Sequence, residues 1–202
     1  MLSLEERQYM HFFKRWLNSL WFVIKKPTPN TFKRITDDVE NIFTEAIICN
    51  SILATLAYTL LIILGYIGPS RLDGFINFIF LVSLVLLFFV FYLNLVKEKL
   101  FNDKSYSYEK LLFSIVLILI IMTIMDSFLI AFFPDNNYLA YAVILYGVVI
   151  MIVAIKAITK LNYWQSLLNF FLSFILTLIS STIAGFFFGR LITLIPNWFK
   201  FF

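Results

Sequence analysis

The stretch WQSLLNFFLSFILTLISSTIAGFFFGRLITLI, residues 164–195, decides the fold. Arg190 is its one charge, and at 1.5 Å per residue it is long enough to cross about 30 Å of hydrocarbon. Within it Ser173, Thr177, Ser181, Gly185 and Gly189 recur at every fourth position. Steps of four advance 400°, so the row drifts by about 40° per step around a helix. That small-xxx-small pattern suits a close right-handed crossing near −40°. Ser180 and Ala184 widen the strip enough to serve a different neighbour at each end. The row predicts a membrane helix at the centre of a bundle.

Four more apolar runs precede it, at about 44–66, 75–96, 111–133 and 138–158. The 202 residues are 61% hydrophobic and 14% charged, against about 25% charged in soluble domains, so lipid must be the main solvent. The expected fold is all-α: a polytopic membrane domain of five helices over 44–202, preceded by amphipathic helices over 1–43. A re-entrant pair at 138–158 and 167–195 is the competing arrangement. Ala46, Asn50, Ala54 and Ala57 form a narrow strip on the first span, and Ala140, Gly147 and Ala154 another on the fourth. These strips are the expected partners of the last span's inner half. The second span, rich in Phe and Leu, is expected to be the most lipid-exposed. The short break Pro134-Asp135-Asn136-Asn137 makes spans three and four antiparallel neighbours.

Residues 2–24 place Tyr9, Phe13, Trp16, Leu17, Leu20, Trp21 and Ile24 at helical spacing, with Lys14, Arg15 and Asn18 between them. An apolar stripe beside basic residues suits a helix lying in the membrane interface. A soluble amphipathic helix docked on a partner is the alternative. The Pro27-Thr28-Pro29 break ends it. A second amphipathic helix follows, capped by Asn30 or Thr31, with Phe32, Ile35, Val39, Ile42 and Phe43 as its apolar side. It leads through Glu45 into the first span.

Thirteen of the sixteen Lys and Arg residues fall on one predicted side. Seven lie in the N-terminal segment, four follow span two (Lys97, Lys99, Lys104, Lys110), and Lys156 and Lys160 follow span four. Arg71, Arg190 and Lys200 lie on the other. The positive-inside bias puts the N-terminus in the cytoplasm and the C-terminus outside. The net charge of +4 sits in blocks beside apolar runs, which points to anionic headgroups of the lipid bilayer as partners and not to nucleic acid. No apolar h-region of a cleavable signal peptide is evident.

Little points to catalysis. HExxH, GxSxG, Walker A and GxGxxG patterns are absent. Cys49 is the only cysteine and His11 the only histidine, so no catalytic residue, cofactor or metal site is assigned. Asp126 is the costly residue, at about 2.5–3.5 kcal/mol for a central membrane Asp. Thr123 and Ser127 share its face, and Arg190 lies near its level, so an Asp126–Arg190 pair between spans three and five is expected. A proton- or ion-coupling carboxylate, or an acid wetted by a shallow outer cavity, are the other roles. Asn50 and Asn169, near the inner ends of spans one and five, are expected to hydrogen-bond across helices, each bond contributing about 0.6 kcal/mol.

The segment WFVIKKPTPNTFKRI, residues 21–35, resembles the Yip1 family of membrane proteins in its basic-Pro break and Phe-containing helix. IKAITKLNYWQSL, residues 155–167, resembles that family's turn between spans four and five. Ser166 stands where a different small residue is usual. The resemblance implies five spans, a cytoplasmic N-terminus and a role in organising membranes or recruiting partners, with no catalytic residue. Eukaryotic members of the family bind Rab GTPases in vesicle trafficking; this short chain resembles instead a prokaryotic branch of the plasma membrane. The function expected is a non-enzymatic organiser or adaptor acting through the N-terminal amphipathic region, with a membrane-protein partner or a second copy. The alternative is a small oligomeric transporter or channel using Asp126.

Overall fold

Two prolines separate the first two helices, and the chain between them turns on hydroxyls. The Thr31 hydroxyl donates to the Lys26 carbonyl at 2.7 Å, and the Thr31 N–H reaches the Thr28 hydroxyl at 3.4 Å. Thr28 therefore caps the second helix and Pro29 is its first residue, where a missing N–H costs nothing. The expected caps, Asn30 and Thr31, already lie inside that helix.

The computed structural model is helical throughout, and describes residues 4–37, 39, 42–63, 72–105, 108–133 and 137–198, with backbone only at 4–12, 61, 72–81, 130–132, 137 and 187–198. Among the described residues there are seven helices: α1 Leu4–Lys25, α2 Pro29–Asp37, α3 Ile42–Ile63, α4 Leu72–Phe101, α5 Tyr108–Phe132, α6 Asn137–Ile158 and α7 Tyr163–Trp198. Among the described residues four segments are long and apolar enough to cross a membrane: Ile42–Leu60, Tyr108–Leu129, Tyr138–Ile158 and Tyr163–Phe186. The chain has the composition of a membrane protein. The second amphipathic helix stops at Asp37, sooner than expected, and Val39 is buried between α2 and α3 without being helical.

The centre of the bundle is α5, which corrects the expectation for α7. Every side chain from Leu111 to Ile118 is buried. Over its apolar window 56% of α5 is buried, against 22% of α7. Helices α3 and α6 flank α5, while α7 packs on α4 and α6. The first span's strip, with Ala46 and Ala54 fully buried, therefore serves α5 and α4 instead of α7. Helix α4 is likewise no lipid-facing outlier: Leu86, Phe89, Val90, Leu93 and Val96 are buried, and Phe89 meets Phe170 of α7 edge-on at 5.7 Å.

Helix α2 is a core element, packed on α6 and α5. Its Phe32 is wholly buried and Ile35 nearly so. Thr36 returns its hydroxyl to the Phe32 carbonyl at 3.0 Å, which removes its polarity from the contact. Lys110 at the start of α5 pairs with Asp37. The α1–α2 segment and the α4–α5 and α6–α7 connections thus gather at one end of the bundle.

Candidate functional site

Helix α1 has three faces. At about 100° per residue, Trp16, Leu20 and Val23 occupy one arc, Phe13, Leu17, Trp21 and Ile24 the next, and Lys14, Asn18, Phe22, Arg15 and Ser19 the remainder. The first arc is buried against the bundle, with Val23 fully so. The second stands open, with Trp21 60% exposed. A single interfacial stripe was expected; its residues divide between bundle and surroundings.

Two contacts fix the position of α1 along α3. Arg15 pairs with Glu45, and Trp16 lies beside Cys49. Those partners are three and seven residues into α3, about 5 and 10 Å from its start.

A charged clasp at the same end joins two connections. Lys97, only 2% exposed near the end of α4, donates to the Ser105 carbonyl and lies 3.4 Å from the Ser105 hydroxyl. Asn102 ends α4 in the left-handed region at φ 54°, a conformation Asn tolerates better than most residues. The turn delivers Asp103, whose Oδ1 accepts the Ser105 N–H and whose Oδ2 accepts the Lys160 N–H, both at 3.0 Å. The second bond ties the α4–α5 loop to the α6–α7 turn. Burial pushes the Asp103 carboxyl up, but the N–H donors of Lys160 and Ser105, with Lys97 beside them, hold it below its ordinary value. Burial lowers the Lys97 ammonium, against the opposing pull of Asp103 and Glu98.

The α6–α7 turn is rigid for its own reasons. The Asn162 N–H donates to Gln165 Oε1 at 3.0 Å, and the Gln165 N–H to Asn162 Oδ1 at 2.9 Å. This is a reciprocal capping box opening α7. Its signal, Asn162-x-x-Gln165, is visible in the sequence. The clasp has no comparable signal, because Lys97 and Asp103 look like any other charges in a solvated loop.

The residues singled out from sequence do not converge. Asp126 is half-buried on α5. Its expected hydroxyl donors are committed to backbone: Thr123 to Leu119 O at 2.8 Å and Ser127 to Thr123 O at 2.5 Å. Among the described residues no hydrogen bond or ion pair joins Asp126 to a partner. The side chain of Arg190 lies outside the described residues, so the expected pair does too. Asn50 donates to Ser83 of α4 at 2.6 Å. Asn169 is fully buried; Ser173 donates to its Oδ1 at 3.3 Å, while its Nδ2 has no partner among the described residues.

The row on α7 is uneven. Ser173 and Thr177 are buried, and Ser180 beside the row meets the Tyr92 hydroxyl at 2.5 Å. Ser181 is half-buried, and its hydroxyl has no partner among the described residues. Gly185 faces open space, with nothing within 4 Å of an added Cβ. Gly189 lies where only backbone is described. The close approach occurs at Gly147, where a Cβ would overlap the end of Met122 from α5. Among the described residues no cluster of His, Cys, Asp or Glu could hold a metal. Compared with known proteins, the chain matches no family model, no curated protein and no solved structure.

Proposed function

We propose that this chain is a non-enzymatic integral membrane protein, Yip1-like in architecture, that organises one face of a membrane through its N-terminal helices. In this reading α4 is a fifth span, the charged end is cytoplasmic, and α1 lies in the inner leaflet. The observation that carries it is the division of α1's apolar arc. Trp16, Leu20 and Val23 fasten the helix to the bundle, while Phe13, Leu17, Trp21 and Ile24 remain 46–60% exposed. Fully burying such side chains is worth about 1.5–3 kcal/mol each, so the remaining exposure corresponds to roughly 1 kcal/mol apiece on entering lipid. A helix anchored sideways to a bundle and inserted into one leaflet adds area to that leaflet alone. Such asymmetric insertion favours curved membrane and concentrates the protein there.

The test uses the labelled full-length chain in giant vesicles, oriented with the N-terminus outward, from which narrow tubes are pulled. The chain should enrich several-fold on the tube. Leu17→Asp with Trp21→Asp should abolish the enrichment while the spans remain inserted. Equal partition of the parent chain, or equal enrichment of the variant, would rule the reading out.

A second reading, a small transporter or channel, draws on one feature: a half-buried carboxylate at Asp126 with no partner among the described residues. Solute or proton flux in liposomes that Asp126→Asn leaves unchanged would remove it.

A further inference from the structure

The polar face of α1 closes against α2 around a cleft of about 400 Å³, within the size range of small-ligand sites, about 300–1,000 Å³. Lys14, Arg15, Asn18, Ser19 and Phe22 line one wall and Arg34 the other. The charges are unequal in what they can offer. Arg15 is engaged by Glu45, and the Ser19 hydroxyl donates to the Arg15 carbonyl at 3.0 Å. Lys14 and Arg34 have no carboxylate partner among the described residues. The Arg34 guanidinium rests 4.4 Å above the Phe22 ring. That contact holds its planar donors in place on the cleft wall.

We propose that this cleft binds the phosphate of an anionic phospholipid headgroup. Lys14 and Arg34 both line it and supply the compensating charge, and the Asn18 amide offers further hydrogen bonds. The choice of a lipid over free phosphate follows from what adjoins the cleft. The exposed arc of Leu17 and Trp21 begins beside the Lys14–Asn18 face, so one ligand can meet cations with its head and apolar side chains with its chains. With α1 in the inner leaflet, as proposed above, this junction lies where headgroup meets acyl chain. The proposal rests on the interfacial reading of α1 and adds a site to it.

The experiment titrates the delipidated full-length protein in neutral detergent with short-chain phosphatidylglycerol, short-chain phosphatidylcholine and inorganic phosphate, read by calorimetry. Phosphatidylglycerol should bind saturably, at least tenfold tighter than either of the others. Lys14→Gln with Arg34→Gln should weaken it by about thirtyfold, as expected for the loss of two near-surface cations. Lys14→Arg with Arg34→Lys keeps the charges and should retain binding within a few-fold, which guards against misfolding as the explanation. Lys99→Gln with Lys104→Gln, at the same end but outside the cleft, should leave affinity unchanged.

Retained affinity in the Gln pair would overturn the site, as would an equal loss in the Lys99/Lys104 control. Tight binding of inorganic phosphate would overturn the lipid assignment. A Phe13→Asp, Ile24→Asp variant, on the exposed arc but away from the cleft, separates the two readings, because it should lose tube enrichment while keeping the preference for phosphatidylglycerol over inorganic phosphate. Loss of that preference in the Gln pair with enrichment intact would uphold the site independently of curvature.

Discussion

Asp103→Ala should release the charged end of the bundle, and the geometry sets how far. The carboxylate accepts two backbone N–H groups, from Ser105 and Lys160, each at 3.0 Å. It is 8% exposed, so water replaces it poorly. Hydrogen bonds to a charged group are worth about 1.5–3 kcal/mol each, so the loss should be about 2–4 kcal/mol once partial rehydration of the turn is allowed. The variant also leaves the Lys97 ammonium buried beside one fewer counter-charge, which works in the same direction. Asp103→Asn keeps one acceptor and should lose about half as much.

The assay is amide hydrogen exchange in micelles, read at Ser105 and Lys160, together with unfolding in mixed SDS micelles. At about 1.4 kcal/mol per tenfold, those amides should exchange about thirtyfold to several-hundredfold faster in Asp103→Ala. A double-mutant cycle with Lys97→Met should show coupling, because the two groups share Ser105. Unchanged exchange at Lys160 would refute the reasoning, since among the described residues that amide finds its acceptor on Asp103.

The clasp also predicts a pH dependence. Asp103's folded carboxyl lies below its ordinary value of 3.8, so its stabilisation is complete above that value and is lost as pH falls through the folded value; acid unfolding of Asp103→Asn should show a shallower limb. Lys97 titrates below its ordinary 10.5 when folded, so stability should rise with pH between the lowered value and 10.5, and Lys97→Met should flatten that rise. Two glycines should respond with opposite signs: Gly185→Ala, in open space, should stabilise by about 0.5–1 kcal/mol, whereas Gly147→Leu should cost about 1–3 kcal/mol by overpacking, part of it recovered by Met122→Ala, both read by SDS unfolding. Asn50→Ala should cost about 0.6 kcal/mol through its bond to Ser83, with no further loss when Ser83→Ala is added.

Helix positions were legible because span length and charge blocks are one-dimensional properties. The runs at 111–133 and 138–158 meet α5 Tyr108–Phe132 and α6 Asn137–Ile158 within three residues. The Pro27-Thr28-Pro29 break was legible too, since proline forbids a continuous helix whatever surrounds it. What could not be read was which helix is central. In water, burial selects apolar residues, so composition reveals the core. In lipid, Leu and Ile serve equally well against a neighbour and against acyl chains, and small residues become the only packing signal. That signal favoured α7, with its row of Ser, Thr and Gly, over the Leu- and Ile-rich helix α5. Yet a small residue matters only where another helix arrives: Ser173 and Thr177 are buried, while Gly185 faces open space.

The same physics hid the clasp. Counted for topology, Lys97 is one positive charge among thirteen on its side. Its burial depends on a left-handed Asn102 that turns Asp103 back toward Lys160, 57 residues away in sequence. The polar residues that the sequence made prominent were those costly to place in lipid, Asp126 above all. The polar residues that hold the charged end together lie at the ends of the helices, where geometry, not composition, determines their role. For this chain the better places to look for function are therefore the edge of the bundle and the two faces of α1 that the bundle leaves uncovered.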